Sequence, residues 1–443
     1  MIDGRITYKR GNTMADVLNF KCPCCGAALG FSGKTGEMTC EYCGASFTME
    51  QAKAAQEAEA VDAASSDMTW TTTEQLMIRD ENGKLTGYKC PSCAAEMVAD
   101  ENTAATECPY CGNQAIIPQS FDGMYRPEVV IPFALDKNEA KGKLKDFTKG
   151  KKLLPKSFTE GNRIEDITGL YVPFWLYSCH ASGSVSYEGV KKKNWSDANF
   201  EYTKSDHYNV MRSGDMDFQR IPVNAATQMD DATMDSLEPF DYSKAVAYDA
   251  AYFSGYLANR YDIEEKDAQP KANGRVENTF KEKIKDTVKG YNEVSEKSDA
   301  IQLSNAKAEY AMLPVWMMTT NFNNEKYTFG INGQTGKLVG SLPVDMGLYW
   351  KYFGIASLIS LVITELLCLI IGTGLGIMFV AFLISLLIGF LYVSSLKSSM
   401  NTVRMQTGAK QYFVDGSFKP GRSEDIFTYS KTDKREKPKN NNS

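Results

Sequence analysis

Two four-cysteine clusters of identical spacing, a long stretch of mixed strand and helix signals, and a 45-residue run almost free of charge predict a multi-domain chain. The expected fold class is two small zinc ribbons, an α+β domain and a C-terminal transmembrane helical hairpin. In order, the sequence predicts a disordered N-terminus over 1–18, ribbon 1 over 19–48 and a helical or flexible linker over 49–86. Ribbon 2 follows over 87–119, then an α+β soluble domain over 120–345, two transmembrane helices within 347–396, and a basic, largely disordered tail over 397–443.

The clusters are Cys22-x2-Cys25-x14-Cys40-x2-Cys43 and Cys90-x2-Cys93-x14-Cys108-x2-Cys111. Two residues between cysteines let one tight knuckle aim two thiolates at a single ion, and a second knuckle completes a tetrahedron. Gly26, Gly44 and Gly112 follow three knuckles, where a left-handed backbone is cheapest, and Ala94 takes the fourth such place. Disulfides or a thioredoxin-like redox pair are the alternatives, and the repeated spacing is too regular for either. Four thiolates close the coordination shell, so two structural Zn²⁺ ions are expected, with no open position for substrate. Aligning the clusters sets Cys24 opposite Ser92, which leaves Cys24 as an odd thiol, either a spectator or a competing ligand.

Thiolate zinc chemistry implies a reducing compartment, and the first 22 residues contain no apolar segment of the secretory kind. Met14 is an alternative start, because MADVLNFKCP leads directly into ribbon 1. Residues 1–121 carry nine Lys/Arg against sixteen Asp/Glu. A nucleic-acid footprint is basic, so this balance argues against a grip on phosphate backbone.

Between the clusters, MEQAKAAQEAEAVDAASSD has no apolar stripe and reads as a solvated helical spacer that lets the ribbons move independently. The α+β stretch offers strands in EVVIPFAL, GLYVPFWLYSCHASGSVSYEG and FEYTKSDHYNVMR. Helices are expected over 136–150, 242–261 and 277–290, and a β-hairpin over 327–340 around Asn332-Gly333. Pro173-Phe174-Trp175 and Pro314-Val315-Trp316 share a pattern that reads either as a shallow duplication or as two edge strands whose tryptophans fill one core.

From Tyr352 to Leu396 the chain has no Lys, Arg or Asp, and Glu365 is its single carboxylate. About 20 apolar residues span a bilayer at 1.5 Å each, so the run predicts two helices, about 350–371 and 376–396, around Gly372-Thr373-Gly374. Lys351, Lys397 and Arg404 flank them and the turn is uncharged, which predicts a multi-pass cell-membrane protein with both termini cytoplasmic. The tail holds ten Lys/Arg and five Asp/Glu, suited to anionic headgroups or to topology alone.

Catalysis finds little support, and the chain is not expected to be an enzyme. His180 and His207 lie in no triad or metal spacing, Cys179 and His180 point to opposite faces of a strand, and no phosphate loop or small-molecule site is evident. Glu365 is either structurally accommodated, as an acid, by Thr373 or by interfacial water, or functional.

With CPCCG, CEYCG, CPSC and CPYCG, GLYVPFWLY, LEPFDYSKAVAYDAAYFSGYLANRY and AMLPVWMMTTNFNNEKYTFGINGQTGKLVGSLPV in place, the chain resembles a bacterial family of membrane-anchored TFIIB-type zinc-ribbon proteins. It is similar to the integral-membrane member of a Gram-positive envelope-protection complex. That resemblance implies recruitment of an SPFH-type scaffold and, through it, a phage-shock-type protein. The function expected is therefore a membrane-anchored, cytoplasm-facing adaptor that recruits cytosolic proteins at the lipid bilayer. A membrane-tethered nucleic-acid binder is the alternative.

Overall fold

The computed structural model describes residues 20–23, 26–32, 37–53, 66–72, 77–78, 85–100, 108–113, 117–119, 124–160, 167–253, 255–371 and 374–437. The expectations for 1–18, for Met14, Cys24, Cys25 and Thr373, and for the end of the tail lie outside these residues.

Ribbon 1 is a three-stranded antiparallel meander, β1 (Gly30–Ser32), β2 (Glu37–Thr39) and β3 (Ser46–Phe47). A helical stretch over 49–53 (α1) follows, and Thr48 and Gln51 exchange side-chain-to-backbone hydrogen bonds at its start. After this point the linker expectation needs correction. Asp67 bonds the backbone of Ile301 and Leu303, and β4 (Thr71–Thr72) pairs with the long strand that contains Lys307. Trp70 is buried and donates to Asn273 Oδ1 at 2.6 Å. One aromatic side chain is enough to tether this segment, because burying it removes a large apolar area from water.

The short β5 (Met77–Ile78) is followed by ribbon 2, built on β6 (Leu85–Lys89), β7 (Glu96–Asp100) and β8 (Ile117–Gln119). β9 (Met124–Tyr125) pairs with β5, and β10 (Val129–Val130) enters the main sheet. Helix α2 (Lys137–Thr148) carries a capping box in which Asp136 and Glu139 satisfy each other's backbone N–H groups. A short α3 (Lys156–Glu160) follows.

The main sheet is organised by very long strands: β11 (Thr168–Ser196), β12 (Phe200–Asn224) and, later, β15 (Glu293–Phe322). Their antiparallel pairing runs over most of their length, Val190↔Glu293 to Thr168↔Met317 on one side of β11 and Ser196↔Glu201 to Phe174↔Asn224 on the other. Alternation sorts β11 onto two faces. Tyr171, Trp175, Tyr177, Cys179, Ala181, Val185 and Tyr187 enter one core, and Leu170, Val172, Phe174 and Leu176 enter the other.

Between these strands lie α4 (Asp231–Leu237), β13 (Val246–Ala247), β14 (Leu257–Asn259) and α5 (Glu265–Lys285). The helix expected over 242–261 is absent. Two 3₁₀ turns and two short strands stand there, because β14 pairs with β11 and five aromatic side chains, Tyr242, Tyr248, Phe253, Tyr256 and Tyr261, each pack separately onto the core. The helix expected over 277–290 starts twelve residues earlier, at Glu265. Pro270 and Gly274 disguise its first half, yet Ala268, Ala272, Val276, Phe280 and Ile284 form an unbroken i, i+4 stripe against the sheet.

The expected hairpin stands as β16 (Glu325–Asn332) and β17 (Leu338–Gly340), with Asn332 Oδ1 accepting from the N–H groups of Gln334 and Thr335. The two Pro-x-Trp segments are neighbours on central strands, Tyr171 opposite Pro314 and Pro173 opposite Met312. They are not edge strands, and their tryptophans fill separate cores, Trp175 on the α5 side and Trp316 against Leu153 and Phe329.

Two apolar helices, α6 (Met346–Ile371) and α7 (Leu375–Ser398), pack as a C-terminal hairpin, each long and apolar enough to cross a membrane. The tail expectation is overturned. After α7 the chain returns to the sheet, buries Met400, Ala409 and Tyr412, and adds β18 (Lys419–Glu436) beside β12 from Asp215↔Lys419 to Phe200↔Glu436. Its many charges hid this strand. They face solvent or pair across strands, as Arg212 does with Asp425 at 2.6 Å.

Candidate metal centres

Each knuckle is built from the same backbone exchange. The N–H groups of Cys22, Cys40, Cys90 and Cys108 bond the carbonyls of Ala27, Ala45, Ala95 and Asn113. Gly26, Gly44, Ala94 and Gly112 donate back to those cysteines' carbonyls. That loop forces positive φ at the donor: 76°, 74°, 59° and 71° in chain order. Ala94 therefore holds a left-handed conformation that glycine adopts without steric cost.

In ribbon 2 the sulfurs of Cys90, Cys93, Cys108 and Cys111 all lie within 4.8 Å of one another, with Cys90–Cys111 at 3.5 Å and Cys93–Cys108 at 3.6 Å. Tetrahedral zinc with bonds of about 2.3 Å sets sulfurs roughly 3.8 Å apart, whereas a disulfide holds them at about 2.05 Å. The spacing fits a shared divalent ion and excludes a bridge. In ribbon 1, Cys22, Cys40 and Cys43 form a matching group with Cys22–Cys43 at 3.6 Å. The fourth expected ligand, Cys25, lies outside the described residues. Neither His180, bonded to Asp217, nor His207, bonded to Glu188, belongs to a metal-binding group among the described residues.

Burial works against ionisation at Cys90, Cys93 and Cys108 of ribbon 2. At Cys90 hydrogen bonds from the Cys93 and Ser92 backbone N–H groups and from the Cys111 and Cys93 side chains together outweigh it and bring the thiol down to about 7, while burial pushes the Cys93 and Cys108 thiols up. Four crowded sulfurs cannot all lose protons unaided. A bound cation would supply the missing charge, as it does wherever thiolates ligate metal.

The two ribbons differ in their surroundings. Ribbon 2 is fused to the sheet: Met97 and Val98 of β7 pair with Asn259 and Ala258 of β14, and Thr319 of β15 donates to the Pro109 carbonyl at 2.9 Å. Its Cys90, Met97, Cys108 and Tyr110 belong to the same core as Leu170, Phe174 and Met317. Independent movement of this ribbon is thereby excluded. Ribbon 1 has its own small core of Phe20, Met38, Phe47 and Ala52, against which Tyr429 of β18 packs. The supporting residues Thr319 and Tyr429 have no signal in the sequence, because nothing local marks a side chain that serves a site hundreds of residues away.

The chain is 30% identical over 359 residues to the uncharacterized protein YdjG of Bacillus subtilis (strain 168), a match covering 81% of this chain and 99% of that protein. The chain belongs to the YdjG family. No family profile and no solved structure matches it.

Proposed function

We propose that this YdjG-family chain is a membrane-anchored adaptor, with two structural zinc ribbons on a rigid sheet held at a bilayer by the α6–α7 hairpin to recruit cytosolic proteins. The observation that carries this reading is that both flanks of the hairpin are pinned to the metal-bearing sheet. Leu342 N–H donates to the Met400 carbonyl at 2.9 Å, Thr402 N–H to Gly340 at 3.0 Å, and Lys152 Nζ to the Tyr392 hydroxyl at 2.9 Å. A hinge at that point would let the sheet tumble. The pinned base supports a platform of fixed orientation.

Because β18 follows the hairpin and pairs with β12, both flanks belong to one folded unit, which supports a two-span topology with both ends on the same side. The thiolate sites support the cytoplasmic side, where thiols stay reduced. The closed S₄ site supports a structural metal, with recognition left to knuckles and strand edges. Resemblance suggests an SPFH-type scaffold and a phage-shock-type protein as the recruited partners.

The test is crosslinking in intact cells, affinity capture of the full-length chain and mass spectrometry of what comes with it. Cys90→Ser with Cys93→Ser is expected to abolish partner capture while the chain stays in the membrane fraction. An unchanged set of partners overturns the reading, as does capture of nucleic acid in a steeply salt-sensitive form instead of protein.

A further inference from the structure

Among the described residues β18 pairs with β12 alone, so an edge of eighteen residues is left without a strand beside it. Charged side chains on such an edge normally block pairing with an arbitrary strand. Here their order has a further property. Two edge strands related by a dyad perpendicular to the sheet pair antiparallel, and each residue keeps its face. Residues that meet across the dyad must then share a face.

The register of β18 against β12 shifts twice, where Gly421 and Arg422 lie opposite Ser213 alone and again at Thr428. Tyr429 lies opposite His207 and Phe427 opposite Tyr208, so Thr428 is the extra residue. As a result Glu424, Ile426, Tyr429, Lys431 and Asp433 lie opposite Met211, Asn209, His207, Ser205 and Thr203, alternate residues on one face of β12. Arg422 joins that face through its 2.6 Å ion pair with Glu424, and Lys431 pairs with Asp433 at 3.1 Å. Read along this face, the order is plus, minus, apolar, aromatic, plus, minus.

Reversed against itself about the Phe427–Thr428 bond, that order is complementary at every position. Arg422 meets Asp433, Glu424 meets Lys431 and Ile426 meets Tyr429, each twice by symmetry. On the opposite face Asp425 meets Ser430 and Ser423 meets Thr432, so no like charges meet. Opposite charges facing across a strand pair stabilise it and like charges oppose it. We propose that β18 is a homodimerisation edge, taking β18 of a second copy of this chain in an antiparallel, two-fold symmetric pair. Such isologous contacts are the commonest route to closed dimers.

The test uses the full-length chain in detergent micelles, with protein mass read by light scattering over a dilution series. The unaltered chain is expected to be a dimer. Arg422→Glu with Glu424→Arg keeps the pair within its own half of the strand but sets like charges at four contacts across the dyad, and is expected to raise the dimer Kd at least tenfold. Adding Lys431→Glu with Asp433→Lys restores complementarity and is expected to return the Kd to within about twofold. Circular dichroism and zinc content identify a variant that has misfolded. In that event the unaltered chain decides: its dimer is expected to weaken as salt rises from about 50 to 500 mM, because exposed pairs are screened. A monomeric unaltered chain, a Kd indifferent to the first pair of substitutions, an open-ended assembly that survives them, or a salt-independent dimer overturns the proposal.

Discussion

Gly389 of α7 passes so close to Ser357 of α6 that a Cβ added at position 389 would overlap Ser357 Oγ. Ala381, Ser385 and Val393 are buried on the same strip at intervals of four, so the hairpin is closed by small residues and the large ones face outward. Helices in lipid associate through such close contacts, because lipid tails are as apolar as leucine. Gly389→Ala is expected to destabilise the helix pair by about 1–3 kcal/mol through overpacking. Adding Ser357→Gly is expected to recover most of that loss. Thermal unfolding in micelles checks both, and equal stability of Gly389→Ala and the parent counts against this packing.

The contrast between the ribbons predicts unequal consequences of metal loss. Metal analysis of the full chain is expected to return two zinc ions. Cys108→Ser and Cys40→Ser are each expected to remove one. Losing the ribbon 2 site opens the core shared with Leu170, Phe174 and Met317, so Cys108→Ser is expected to lower the Tm of the whole soluble portion. Cys40→Ser is expected to leave that transition near its original place, since ribbon 1 has a separate core. Differential scanning calorimetry separates the cases, and equal Tm losses refute the assignment.

Ala94 takes the left-handed position that glycine occupies in the other three knuckles. Ala94→Gly is expected to be neutral or to stabilise ribbon 2 by up to about 1 kcal/mol, and Gly112→Ala to cost about the same. Competition with a zinc-chelating dye reads both as shifts in metal affinity. Unchanged or tighter affinity for Ala94→Gly and weaker affinity for Gly112→Ala is the expected result.

Carboxylates tie the long strands together. Lys297, opposed in part by burial and helped by His207, holds Glu188 below the usual carboxylate range, and Ser430 with Lys204 holds Asp206 low. A depressed folded-state pKa contributes stability that is present above the unfolded value and is lost as pH falls through the folded one. The distal strands are therefore expected to loosen below about pH 4, where ordinary carboxylates protonate. Hydrogen exchange in β18 compared at pH 3 and pH 6 measures this, and identical protection at both values contradicts it.

Features whose cause is local were legible in the sequence. The cysteine spacing located the knuckles, the helix expected over 136–150 stands as α2, and the charge-free run located both apolar helices to within a few residues. Features whose cause is distant were not. The aromatic segment 242–261 takes its conformation from contacts with β11 and α5. Residues 419–436 read as a solvated tail because a strand paired on one side only can expose most of its side chains. Thr319, Tyr429 and the partner of β18 are matters of tertiary register, on which local composition is silent.

The bond between Leu342 and Met400 gives the hairpin a different standing in the chain. Its two ends leave and re-enter the fold at one spot, so α6 and α7 together are an excursion from the sheet, in the way a surface loop is. A few glycines and serines joining residue 343 to residue 400 would close the same gap. The resulting shortened chain retains every strand, including β18, whereas a fragment simply cut off before α6 would leave β12 with a bare edge along most of its length.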